Sequence, residues 1–109
     1  MGATVFIGYL ERTSLRITLN RIASDALEDL LDDALQGNHP IIYEKIMEVL
    51  VLDQINFTDL NNEEFILAVK VIRDCIKRRT ELTEWQLYQK RIWEEEIEPL
   101  VQQDERYLQ

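Results

Sequence analysis

The chain has 109 residues, 46% of them hydrophobic and 30% charged, with a formal net charge of −9. That length suits a single domain over residues 1–109, and the composition is too apolar for intrinsic disorder. An acidic excess of this size disfavours nucleic acid and anionic membrane and favours basic protein surfaces or cations.

At the start of the chain, Leu15, Ile17 and Leu19 alternate with Arg16, Thr18 and Asn20, the period of a half-buried strand. Val5-Phe6-Ile7 and Tyr9 are also β-favouring, and Glu11-Arg12-Thr13 reads as a turn between two strands. The competing reading starts a helix near Ser14. It is disfavoured because Ile22 would fall on the polar side of the next helix.

From Ser24 the period changes to that of a helix. Leu27, Leu30, Leu31, Ala34 and Leu35 form one stripe, with Glu28, Asp29, Asp32 and Asp33 opposite. Ser24 or Asp25 is expected to cap its start, and Gly37 to end it in a left-handed turn. Pro40 suits the first turn of a second helix, since its missing N–H costs nothing there. Ile42, Tyr43, Ile46, Met47, Val49 and Leu50 share one face, and Val51 and Leu52 extend the apolar run as far as Asp53.

Asn61 and Glu64 have capping-box spacing and open a helix reaching about Arg79. Phe65, Ala68, Val69, Ile72, Cys75 and Ile76 form its main face, which Ile66, Leu67 and Val71 widen. Thr83 and Gln86 repeat the capping signal for a last long helix with Trp85, Tyr88, Ile92, Trp93 and Ile97 on its apolar side. Pro99 is expected to stop or kink that helix, and the polar tail beyond Val101 to fray. The expected fold is mostly α (an α+β domain): about four helices in a bundle with an N-terminal hairpin or strand. All-α is the runner-up.

The chemistry-bearing residues narrow the function without naming it. The single Cys75 excludes an internal disulfide, no basic-then-apolar leader is evident, and no run approaches the ~20 apolar residues that span a bilayer. The expected location is therefore cytoplasmic. One His and one Cys cannot build the usual zinc sites, and no glycine-rich phosphate loop exists, so no cofactor is expected. His39 has no Ser, Cys or Asp arranged with it, and Cys75 lies on an apolar face, so no catalytic residue is assigned and an enzyme is not expected. The Lys70, Arg73, Lys77, Arg78 and Arg79 stripe reads as an ion-pairing face, not a nucleic-acid site, given the overall charge.

Two acidic features remain. Asp25, Glu28, Asp29, Asp32 and Asp33 share a helical side and offer an alternative reading as a divalent-cation site, with calcium the natural ion. From Glu81 onward, eight acids face three bases, more than half of the net charge. There Trp85 and Trp93 lie among Glu94, Glu95 and Glu96, the pattern of an apolar anchor inside a charged ring. The reading is a non-enzymatic, acidic protein-binding module engaging a basic protein partner. An inhibitor, immunity-type or adaptor protein fits this charge logic, and a homodimer is compatible with the wide apolar stripes.

Overall fold

The alternating N-terminal segment folds as a hairpin. In the computed structural model, which describes residues 2–108, β1 (Ala3–Leu10) pairs antiparallel with β2 (Thr13–Leu19). Ala3, Val5 and Ile7 point into the core with Leu15 and Leu19, as the period-two pattern requires. The connection uses Glu11 (φ 49°) and Arg12 (φ 73°), both left-handed, which matches the mirror-image turns that fit strand twist. Neither residue is Gly or Asn, so the turn carries strain. It is held from outside: the Glu11 N–H donates to Glu105 Oε1 at 2.8 Å, and the Glu105 N–H to Tyr9 O at 3.1 Å.

A third strand, β3 (Gln54–Asn56), pairs parallel with β1 on its other side, giving the order β2-β1-β3. Its three residues are too few for a periodic signal, and it is an addition to the expected elements. Between β2 and β3 lie α1 (Arg21–Leu35), α2 (Pro40–Met47) and a 3-10 turn (Leu50–Leu52). After β3 come α3 (Asn62–Arg78) and α4 (Glu84–Ile92). The latter continues through a π-helical turn (Trp93–Ile97) into α5 (Glu98–Val101). The fold is α+β, with the helices and the sheet sharing one core.

Several local expectations need correction. Asn20, not Ser24 or Asp25, caps α1: its Oδ1 accepts from the Ala23 N–H at 2.8 Å. The helix thus starts earlier, and Ile22 does fall on its outer side, 62% exposed. Gly37 is not left-handed; α1 ends at Leu35 and is capped by Gln36, whose N–H still reaches Asp32 O at 3.2 Å. Ile66 and Leu67 lie partly exposed outside the buried face of α3, and Val51 and Leu52 point to solvent. Both capping boxes form as spaced, at Asn61/Glu64 and Thr83/Gln86. Pro99 does not stop its helix. The turn before it widens, with the Glu98 N–H donating to Trp93 O, which accommodates a residue with no N–H and a ring that crowds the preceding turn.

The largest correction concerns the tail, whose described residues up to Leu108 dock and do not fray, while Gln109 lies outside the described residues. β1 carries a bulge in which Ile7 has no register partner on β2. Arg106 fills the gap, donating to Ile7 O (2.6 Å), Phe57 O (2.9 Å), Leu60 O (2.8 Å) and both carboxylate oxygens of Asp104 (2.9 Å each). All five guanidinium N–H donors are thereby used. The group also lies 3.8 Å from the ring centroid of Phe65. Asp104 is almost wholly buried, and Gly8 makes room for it: a Cβ there would sit 1.7 Å from Asp104 Oδ2.

Candidate functional site

Burying the leucine stripe of α1 fixes what its other side shows. With Ala26, Leu27, Leu30 and Leu31 inaccessible, Asp25, Glu28, Asp29 and Asp32 form an outward row at spacings of three and four residues. Among the described residues, none of these four takes part in an ion pair. Partial burial pushes the Glu28 carboxyl up from its ordinary value, and repulsion from Asp25, Asp29 and Asp53 adds to the rise. Asp53, from the loop before β3, therefore belongs to the same negative patch.

Aromatic side chains border the row. Trp85 of α4 donates its indole N–H to Asp29 Oδ2 at 2.8 Å while staying 39% exposed, and its ring lies 5.9 Å from that of Tyr88. From α2, half-buried Tyr43 has its hydroxyl pKa raised, first by burial and then by its hydrogen bond to Asp32. Asp33 stands apart. It pairs with Arg79 at 2.7 Å, and that hydrogen bond, outweighing partial burial, holds its carboxyl below the ordinary value.

The structure thus regroups the sequence candidates. Trp85 joins the α1 acids instead of Glu94, Glu95 and Glu96. Trp93 is only 1% exposed and cannot meet a partner: it donates to Glu98 Oε1 at 3.0 Å from within the core. Arg73 forks onto the same carboxylate through Nε (2.8 Å) and Nη2 and also reaches the Tyr107 hydroxyl (3.2 Å). Burial pushes Glu98 up, but the hydrogen bonds from Arg73, Trp93 and Gln102 outweigh it and hold the carboxyl below its usual range. Trp93 is replaced as an anchor because it serves packing. Glu94 and Glu95 are exposed and Glu96 half-buried on the π-helical turn, with Arg91 3.6 Å from Glu95.

The cation alternative finds no ligand set. Among the described residues, no three His, Cys, Asp or Glu side chains stand where they could hold a metal ion, Asp25 through Asp33 included. The basic stripe of α3 divides: Arg73 goes to Glu98 and Arg79 to Asp33, while Lys70, Lys77 and Arg78 remain exposed. His39 and Asp74 share a shallow hollow of about 290 Å³ with Lys77 and Arg78, and no Ser, Thr or Cys lines it. Burial raises the Cys75 thiol, the wrong direction for a nucleophile.

The tip at Val51–Asp53 was missed as a surface feature, because an apolar pair after an amphipathic helix reads as more core. Asp53 following that pair was the available signal, since an acid ends burial abruptly. Among the described residues, no helix is long and apolar enough to cross a membrane. No protein-family model, curated protein or solved structure matches the chain.

Proposed function

We propose that this protein is a non-enzymatic binding module whose acidic α1 face engages a basic protein partner, in the manner of an inhibitor, immunity or adaptor protein. The observation that carries this reading is the row Asp25, Glu28, Asp29 and Asp32, unneutralised by ion pairs and bordered by a half-exposed tryptophan. Repulsion among these carboxylates adds to the burial that raises the Glu28 pKa, so their crowding costs the fold something. A cationic partner would relieve that repulsion on binding, and the same field would speed encounter. Trp85 supplies a large, rigid contact whose orientation is already fixed by Asp29.

The test is capture of partners from native lysate by the intact protein, washed at low and high salt, with Asp25→Lys/Asp29→Lys and Trp85→Ala as controls. A basic protein retained at low salt, released at high salt and lost with both variants is the expected result. Retention that ignores the charge reversal removes the α1 face from the reading.

A further inference from the structure

The 3-10 turn after α2 displays the consecutive residues Val51 at 88% and Leu52 at 64% exposure. This is not a slack loop. The Leu52 N–H reaches Val49 O at 2.9 Å, the Asp53 N–H reaches Leu50 O at 2.9 Å, and the Thr4 N–H of β1 reaches Asp53 O at 3.0 Å. The turn is closed by Asp53 in the left-handed region (φ 57°, ψ 41°). Backbone bonding therefore holds the turn in a shape that presents two aliphatic side chains to water, outside the buried core. Single exposed apolar residues are ordinary, but an adjacent pair on a hydrogen-bonded projection is a preorganised contact. Its surroundings are acidic: exposed Glu48 precedes it, Asp53 follows it, and Asp53 stands close enough to Glu28 to repel its charge.

We propose that Val51 and Leu52 are the apolar anchor of the partner interface, seated in an aliphatic recess on a lysine- or arginine-rich protein surface. This rests on the basic-partner reading above and adds the contact that holds the complex once charge has assembled it. Glu48, Asp53 and Glu28 form the rim that meets the partner's cations. Charge decides against the other occupants. A second copy would bring acids against acids between two chains of net charge −9. An anionic lipid surface would be repelled by the same rim.

The test uses the intact protein with two designed helical peptides of equal charge, one of lysine and leucine and one of lysine and serine, followed by calorimetry and amide chemical shifts. The expected result is that Val51→Ser/Leu52→Ser weakens the leucine peptide about tenfold or more and leaves the serine peptide within about twofold. Shifts on binding should centre on Val49 to Asp53. Both residues are exposed, so the variant keeps the fold. The proposal is overturned if the leucine peptide does not bind, if it ignores this variant, or if its shifts fall elsewhere. Asp25→Lys/Asp29→Lys separates the two readings. If it weakens both peptides while Val51→Ser/Leu52→Ser changes neither, the acidic face stands and the anchor falls. If it weakens neither, the basic-partner reading falls as well.

Discussion

Replacing Arg106 with methionine keeps the length of the side chain and removes its charge and its donors. Three carbonyls, Ile7 O, Phe57 O and Leu60 O, lose a bond each, and Asp104 is left as a carboxylate with 1% of its side chain exposed. Breaking a buried pair from one side costs about 3–5 kcal/mol, chiefly from the stranded charge. Against a total stability of about 5–15 kcal/mol that is a large fraction. With m near 2 kcal/mol/M in urea, the midpoint should fall by about 2 M. Urea unfolding followed by tryptophan fluorescence reads this, because Trp93 is buried beside the same C-terminal segment. Asp104→Asn completes a double-mutant cycle. It keeps an Oδ1 acceptor for the Arg106 N–H, bonded at 2.8 Å. In the Arg106→Met background the stranded charge is gone, so the double variant should be more stable than the summed single losses by about 1–3 kcal/mol. A loss below about 1 kcal/mol for Arg106→Met, or strict additivity, would refute the docked tail.

Gly8→Ala forces a methyl group into Asp104, itself fixed by Arg106, and should cost about 1–3 kcal/mol, read as a lowered Tm. The depressed pKa of Glu98 means that the folded state binds fewer protons there than the unfolded chain. Its stabilisation is complete above the unfolded value of about 4.3 and is lost as pH falls through the lower folded value. Glu98→Gln should therefore lower Tm at neutral pH and converge with the parent in acid, as checked by melting across a pH series. Glu28 has the opposite sign: its raised pKa withdraws stability as pH rises through it. Glu28→Gln should raise stability at neutral pH by a few tenths of a kcal/mol, the scale left by solvent screening, with no gain below about pH 4.

What the sequence made legible was periodic. The leucines of α1, the alternation of Leu15, Ile17 and Leu19, and the two capping boxes each repeat a geometry set by local backbone structure, and each formed. The tail and β3 are not periodic. Arg106 is held by carbonyls 46, 49 and 99 positions away in the chain, and no local pattern encodes such a partner. The tryptophans show the limit of a stripe. Eight residues apart on a helix, Trp85 and Trp93 differ by about 80° around the axis. That is enough to put one at the edge of the face and the other in its centre. The acidic row was visible as a shared helical side, but its neighbour Trp85 and its extension to Asp53 required the packing of α1 against two other elements.

The latch between Arg106 and β1 also bears on the order in which the fold assembles. The hairpin closes over a two-residue turn, whereas the Arg106–Ile7 contact spans 99 positions. Each doubling of a loop adds only about 0.6 kcal/mol of closure entropy, so the long span is tolerable at equilibrium but late in time. On this count β1 is expected to pair early with β2 and to be sealed at its bulge only when the last segment arrives. Interactions formed that late govern how long the native state survives more than how fast it is reached. Asp104 and Arg106 are therefore expected to act as a bolt, their loss shortening the lifetime of the folded molecule more than it slows folding.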